Sequence, residues 1–470
     1  MKKTKIVATI GPESSSKEIL RKLILSGVNV IRLNLTHASH DFCKDILEKV
    51  RQINEEEGTT VASLLDTNGP DIRTGSFIGG YAFLKKGDKI RIYMDDIMGD
   101  NTKFSINYNI IEDIKIGSII KINDGLVILR VYSKGLNYLI CEVLEEGNVY
   151  NHKSVNLPGT TLNRCFLSKK DINDIEFATE CNFDFIALSF VSTAEDVLDV
   201  SDMLIEAGNN HTQIISKIEC QNALDELDNI IRVSDGIMVA RGDLGVEIPM
   251  EKVPSMQKKI INLCHNYGKI CIVATEMLST MEETCRPTRA EVSDVYNAVI
   301  DGADAVMLSG ETTIGKYPVE TVSIMEKILN EAESSIDYSN FFNKALDTEE
   351  DDIAGLIAFN VAESAFKLSC KAIITPTMSG LTAKKISRYR PNCPIIAVSP
   401  DPDTVKSLML NFGVIPLLID DLNSLDKIIA KSTEEAKKIL NLCEGDRVVI
   451  TGGYPFKDSK YTNFMKIEEL

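Results

Sequence analysis

A short run of Val, Ile, Leu and Ala, ending on polar or ionic residues, recurs eight times along the chain. The runs are KIVATI (5–10), VNVIRLNL (28–35), TVASLLD (60–66), FDFIALSF (183–190), TQIISKIE (212–219), DGIMVARGD (235–243), KICIVAT (269–275) and ADAVMLSG (303–310). Alternation is weak inside them, as in parallel strands buried on both faces. Helix-like stretches such as SKEILRKLILSG (16–27) and RAEVSDVYNAVIDG (289–302) join most of them. Pro287 and Thr288 precede the second stretch and Gly302 closes it, placed as helix start and stop signals. Eight strands alternating with helices predict an α/β fold, a (β/α)8 TIM barrel built from residues 1–68 and 165–340. An open doubly wound sheet is the rival, since periodicity alone does not show closure; the strand count favours the barrel.

Residues 69–164 break the repeat. KKGDKIRIYM, GSIIKINDGLVILRVY and GLNYLICEV are β-branched runs punctuated by Gly and Asp, and Asp124–Gly125 is a tight-hairpin signal. They predict a small all-β domain inserted after the third barrel strand, over the mouth where barrel enzymes keep their active sites, and so placed to act as a lid. A third unit is expected over 345–470. It opens on the acidic DTEEDD (347–352), read as a solvated linker, then the helix IAGLIAFNVAESAFKL. KAIITPT, PIIAVS, GVIPLLI and DRVVITGG follow as strands of a separate α/β sheet.

With 51 Lys and Arg against 69 Asp and Glu, the net charge is −18, which argues against a general nucleic-acid binder or a protein of anionic membranes. No apolar run approaches the ~20 residues of a membrane helix, and the Ile6–Ile10 stretch is too short for a signal-peptide core. Eleven scattered cysteines without a C-x-x-C pair read as reduced thiols, and a cytoplasmic location is expected. Five histidines without H-E-x-x-H spacing make a His-ligated metal centre a poor reading.

Barrel enzymes carry their reactive groups at the carboxyl ends of the strands. Those ends here hold Arg32 and Asn34, Asp66, Lys217 and Glu219, Arg241 and Asp243, Thr275, then Ser309 and Glu311. Any one of these ions is as readily explained by pairing with a neighbour; several on one rim favour function. Lys217 and Glu219, two apart on a strand, share a face. Glu219 and Asp243 from neighbouring strands, with positions left for water and phosphate oxygens, suit Mg²⁺, beside which a lysine would neutralise a phosphoryl group. A plain Lys217–Asp243 salt bridge is the competing explanation. Arg32 and Arg73 are candidates for bidentate phosphate or carboxylate capture, though either alone would more often be a surface residue.

Gly310-Glu-Thr-Thr-Ile-Gly315-Lys316 has Walker A spacing, but Tyr317 stands where Ser or Thr is needed, and it follows the eighth strand of a barrel repeat. Turn chemistry accounts for it. Thr375-Pro-Thr-Met-Ser-Gly-Leu-Thr382, between a strand and a helix, reads equally as an anion loop or as simple N-capping by Ser379.

Taken together, KTKIVATIGP, NVIRLNLTH, LLDTNGPDIRTG, KSVNLPG, ISKIE, MVARGDLGVE, VATEML, RPTRAEVSDV and LSGET resemble, in order and over the full length, the pyruvate kinase family. The resemblance implies a barrel with a β lid and a C-terminal α/β domain, transferring phosphoryl from phosphoenolpyruvate to ADP to yield pyruvate and ATP. It implies Mg²⁺ (or Mn²⁺) on Glu219 and Asp243, and K⁺ on Asn34, Thr36, Asp66 and Thr67. Arg32 matches the phosphoenolpyruvate arginine and Lys217 the lysine that stabilises the phosphoryl transition state. Gly242, Asp243 and Thr275 match substrate-contacting positions, with Thr275 near the enolate that must be protonated. Asn34, Thr36, His37, Arg73 and Lys153 match nucleotide-binding positions. A sugar-phosphate or nucleotide effector is expected on Thr377, Ser379, Gly380 and Thr382, with Lys457 or Lys460 meeting a second phosphate. A homotetramer is also implied, as is the absence of the extra C-terminal domain of some bacterial members.

The chain departs from the family pattern in places. Thr36 replaces Ser, Glu276 stands for Gln beside Thr275, Ser154 for Gly beside Lys153, and Asp71 for the Glu associated with K⁺ dependence. Leu381 occupies a position that is often Lys or another polar residue, which leaves the effector open. Two other readings stand: a different Mg²⁺-dependent enolate enzyme, which would leave Lys153 and Arg73 unexplained, and a regulatory protein on a degenerate kinase scaffold, which would require loss of Lys217, Glu219 or Asp243.

Overall fold

The computed structural model describes residues 2–162, 166–345, 352–420, 424–455 and 461–470. Eight parallel strands close into a barrel: β1 (Lys5–Thr9), β2 (Val30–Asn34), β3 (Ala62–Asp66), β4 (Phe185–Leu188), β5 (Gln213–Ile218), β6 (Gly236–Ala240), β7 (Ile270–Ala274) and β8 (Ala305–Leu308), with β8 hydrogen-bonded back to β1. Closure excludes the open sheet. Each strand buries both faces. Val7, Leu64, Phe185, Ile215, Met238 and Ile272 fill the barrel interior, while Ile6, Leu65, Ile186, Ile214, Ile237 and Val273 pack beneath the surrounding helices. The helix Arg289–Asp301 runs from an N-cap at Thr288 to a left-handed Gly302, as its boundary residues predict. One boundary differs: the strand ends at Ala240, and Arg241–Glu247 coils into a short helix.

After β3 the chain leaves for an all-β unit, whose six-stranded sheet runs in the order 155–156, 119–122, 127–134, 138–145, 89–93 and 103–105. Asn123, Asp124 and Gly125 all take positive φ in the turn joining the second and third of these strands. The unit rests on the barrel through the Lys121 ammonium, which donates to the Val246 carbonyl, and through the Glu247 carboxyl, which meets the Asn156 side chain and the Leu157 backbone. Burial pushes the Glu247 carboxyl up to about 7, against the lowering influence of Asn156, Lys121 and Leu157. Its folded value lies above its unfolded one, so its stabilising contribution is complete below about pH 4.5 and is lost as pH rises to about 7. Glu247→Gln should therefore raise stability at pH 8 by about 1–3 kcal/mol, a gain that shrinks toward pH 5. Thermal unfolding of both proteins at the two pH values checks the sign.

The third unit is a five-stranded sheet in the order 414–418, 395–399, 372–376, 447–452 and 464–469, the first four parallel and the last antiparallel. The helix Ile353–Lys367 covers one face, and residues 347–351 of the acidic linker lie outside the described residues. This unit closes the amino-terminal end of the barrel. Met409 and Leu410 join the interior cluster, and Arg390, 2% exposed, reaches Asp304 at the foot of β8. The barrel mouth and the third unit, which carries Thr377, Ser379, Gly380 and Thr382, thus lie at opposite ends of the barrel.

Candidate active site

Register brings the candidate residues together. Asn34 on β2 pairs with Asp66 on β3, Asp66 pairs with Ala187 on β4, and Lys217 on β5 pairs with Met238 on β6. Asp66, 1% exposed, lies at the centre of the rim: Arg32 Nε donates to its Oδ2 at 2.6 Å, and Lys217 Nζ lies 3.2 Å from Oδ1. Arg32 also donates to the Thr9 hydroxyl at 2.9 Å. Lys217 Nζ donates to Ser189 Oγ at 2.7 Å and lies 2.9 Å from Glu219 Oε1. Glu219 and Lys217 do share a face, and Lys217 pairs with Asp66 and Glu219 rather than Asp243, so the simple Lys217–Asp243 bridge is replaced by a network.

The electrostatics follow from the packing. Burial alone would raise the Asp66 carboxyl, but Arg32 and Lys217 outweigh it and hold Asp66 below its ordinary value. Burial likewise opposes the charged form of Lys217, and Asp66 and Glu219 reverse that, raising its ammonium above the usual lysine range. Glu219 and Asp243 face one another, and burial raises both carboxyls. Glu219 Oε2 accepts the Phe190 N–H at 2.7 Å, and Oε1 lies 2.9 Å from the Lys217 ammonium. Two buried carboxylates set against one another, with one ammonium shared between Glu219 and Asp66, carry negative charge that a further cation would offset. Among the described residues no group of three His, Cys, Asp or Glu side chains converges to hold a metal unaided. A two-carboxylate site would take its other ligands from substrate and water oxygens.

The remaining candidates frame this core. The Asn34 side chain accepts the Thr36 N–H at 3.0 Å, which tightens the turn after β2. Thr67 lies beside Ser189, whose hydroxyl donates to the Thr67 carbonyl at 2.7 Å. Burial and the nearby charges of Arg73, Arg32 and Lys170 hold the His37 imidazole below its ordinary value, which marks a locally positive mouth on an acidic chain. Arg73 reaches the mouth from the lid junction, its Nε 2.7 Å from Asp71 Oδ2 and its Nη1 donating to the His152 carbonyl at 2.9 Å. Lys153 is exposed beside it, and the Ser154 hydroxyl donates to Asp124 at 2.9 Å. Thr275 and Glu276, past the end of β7, carry φ of 65° and 54°, a conformation that costs of order 1–3 kcal/mol per non-glycine residue and that clusters at functional sites. The Thr275 hydroxyl accepts the Gly242 N–H at 2.8 Å, joining the ends of β6 and β7.

Two residues of this site escaped the sequence reading, and a third was named but placed differently. Ser189 follows β4 and is the polar end of FDFIALSF, a signal present but passed over among more ionic neighbours. Phe190 contributes only its N–H, held by a φ of 58° that no side-chain chemistry announces. Arg241 was read as a rim ion, yet it turns away from the core and holds backbone carbonyls of the next loop. In the third unit Ser379 does not cap the helix Leu381–Ser387: Gly380 does, at φ 77°, with its N–H held by Thr377 Oγ1 at 2.9 Å. Thr382 Oγ1 lies 2.6 Å from Thr462 Oγ1, and Lys457 and Lys460 lie outside the described residues. The Walker-like segment forms a short helix, Gly310–Thr313, after β8.

Two family models match the chain, the pyruvate kinase barrel domain over residues 1–322 and the pyruvate kinase alpha/beta domain over 356–468. The chain belongs to the pyruvate kinase family. Its relatives include a pyruvate kinase of Clostridium perfringens, 44% identical with both chains covered in full. A pyruvate kinase of Sporosarcina psychrophila is also 44% identical, over all of this chain and 81% of that one. The crystal structure of a Cryptosporidium parvum pyruvate kinase superposes with a TM-score of 0.95 at 36% identity, covering 100% of this chain and 96% of the other. The barrel, lid and C-terminal α/β sheet are thus the architecture of a pyruvate kinase, and the chain is an enzyme of that class, a glycolytic phosphotransferase with phosphoenolpyruvate and ADP as its substrates. Among the described residues no helix is long and apolar enough to cross a membrane.

Proposed function

We propose that the network on Asp66 is the catalytic centre for phosphoryl transfer from phosphoenolpyruvate to ADP, within a catalytic unit of residues 1–68 and 165–340 lidded by 69–164. The carrying observation is the buried row Arg32–Asp66–Lys217–Glu219, which ends on a carboxylate facing that of Asp243. Phosphoryl transfer asks a protein mainly for positioning and for compensation of charge on the equatorial oxygens. Arg32 holds the phosphate of phosphoenolpyruvate, Lys217 meets the migrating phosphoryl group, and Gly242, Asp243 and Thr275 hold the carboxyl and enolate end. Asn34, Thr36, His37, Arg73 and Lys153 receive the nucleotide. Glu219 and Asp243 would hold Mg²⁺ or Mn²⁺, and Asn34, Thr36, Asp66 and Thr67, all oxygen donors from adjoining strand ends, would hold K⁺. These ions supply positive charge that offsets the phosphates.

The loop of Thr377, Ser379, Gly380 and Thr382, in a unit of residues 345–470, is proposed as a site for a phosphorylated effector, and a cytoplasmic homotetramer is the expected state. The test is a coupled assay for pyruvate from phosphoenolpyruvate and ADP, with and without K⁺ and across sugar phosphates and nucleoside monophosphates. Removal of divalent metal with EDTA should abolish turnover, and Mg²⁺ or Mn²⁺ should restore it. Pyruvate formation that requires neither metal nor ADP would overturn the reading.

A further inference from the structure

Arg241 begins the short helix after β6, and its backbone leads directly into Gly242 and Asp243. Its side chain, in a residue only 8% exposed, crosses to the next strand end. There Nη2 donates to the Thr275 carbonyl at 2.7 Å and the Glu276 carbonyl at 2.9 Å, while Nε lies 3.2 Å from the Thr275 carbonyl. Nη1 donates to Asp294 Oδ2 at 2.7 Å on the helix Arg289–Asp301, which anchors the far side of the guanidinium. The two carbonyls so held belong to the left-handed pair, Thr275 at φ 65° and Glu276 at φ 54°. A β-branched residue reaches positive φ only when its surroundings over-determine it. The planar guanidinium, with donors in a fixed fork, matches two successive carbonyls in a way that a lysine ammonium cannot.

We propose that Arg241 is a positioning residue for the reaction: it holds the Thr275–Glu276 turn in its left-handed form and thereby aims the Thr275 hydroxyl at the enolate. The backbone on one side of Arg241 carries the substrate-side Gly242 and Asp243, and its side chain sets Thr275, so one residue fixes the spacing of two adjoining strand ends. This rests on the reading of Thr275 as the residue beside the enolate. In that half of the reaction the C=C pair of the enolate takes up a proton that comes from solvent by way of the Thr275 hydroxyl, a C–H bond forms on the terminal carbon, and an oxygen lone pair closes the C=O of pyruvate. Phosphoryl transfer draws chiefly on Lys217 and Arg32, so a displaced Thr275 turn should slow it less than it slows protonation.

The two halves are separable in single-turnover experiments that follow ATP and pyruvate independently, by quench and by proton NMR in D₂O. Arg241→Lys should form ATP within threefold of the native rate, while pyruvate formation slows tenfold or more and the KM for phosphoenolpyruvate moves less than threefold. Thr275→Val serves as the reference and should show the same split, with the double variant no slower than the slower single one. Asp294→Asn, which loosens the outer anchor, should show a split of about threefold, and it carries the test if Arg241→Lys does not fold. A parallel fall of ATP and pyruvate in Arg241→Lys, or no change, overturns the proposal when Thr275→Val still splits them. No split in Thr275→Val overturns the reading of Thr275 and the proposal together.

Discussion

Lys217→Met is expected to lose turnover by about 100- to 1,000-fold while the Kd for phosphoenolpyruvate changes less than threefold, as when a preorganised donor to transition-state charge is removed. The magnitude follows from where the ammonium sits. Lys217 is 8% exposed, and its charge is already fixed by Asp66 and Glu219 before substrate arrives, so no reorganisation accompanies the reaction. In so dry a setting one positive charge is worth far more than in water. Arg32 still pairs with Asp66 through its own 2.6 Å hydrogen bond, so ground-state capture of the phosphate should survive. Met preserves most of the length of the side chain and removes only the charge. The chain has no tryptophan, so binding is best followed by calorimetry, with kcat from pyruvate release. Turnover within tenfold of native, or a rise in Kd that accounts for the whole loss, would remove Lys217 from the transition state and leave it a structural counter-ion of Asp66.

How much of this was legible beforehand depends on whether the signal was local. Strands buried on both faces leave continuous apolar runs, so the eight staves and their order could be read, and the residues after Leu33, Leu65 and Ile218 could be named as mouth residues. The two-residue spacing of Lys217 and Glu219 fixed their common face, because strand side chains alternate. The last strand of the C-terminal sheet, Phe464–Glu469, was missed because it is an edge strand whose charged side chains remain in solvent, so no apolar run marks it. Arg241 was misplaced for another reason. A strand end and the first residue of a helix look alike in sequence, yet the helical turn points the side chain along the rim instead of into it. Nothing local announces which of three neighbouring ions Lys217 will choose, since that depends on the depth at which Asp66, Glu219 and Asp243 are buried. The docking of the third unit beneath the barrel was likewise invisible, because its anchor residues lie more than eighty positions apart.

Arg390→Met tests that anchor, and the expected loss is about 3–5 kcal/mol of local stability where the third unit meets the barrel. Arg390 takes a φ of 47° and enters the foot of the barrel, where Nη1 reaches the Ala303 carbonyl at 3.4 Å, Nη2 reaches Asp304 Oδ1 at 2.9 Å, and Nε reaches His265 Nε2 at 3.0 Å. The guanidinium lies 4.2 Å above the Phe412 ring centroid. Burial lowers Arg390 and raises Asp304 despite their opposite charges, the mark of a pair whose desolvation exceeds its mutual attraction. Removing one partner therefore leaves a buried charge uncompensated, which is worse than removing both. Asp304→Asn retains an acceptor for the Cys271 N–H, now held at 2.8 Å, while discarding the charge. The double variant should accordingly recover about 1–3 kcal/mol relative to the sum of the single losses. A chain of this size need not unfold in one step, so the quantity to measure is the hydrogen-exchange free energy of the Asp304, Ala305 and Cys271 amides, not a melting temperature. Because β7 and β8 both start at this anchor and β7 ends at Thr275, a loosened foot should also lower kcat, with less effect on the KM for ADP, whose proposed contacts lie on other strand ends and the lid. Additive losses in the double variant, or native exchange rates in Arg390→Met, would show that the Met409–Leu410 plug, and not the ion pair, holds the two units together.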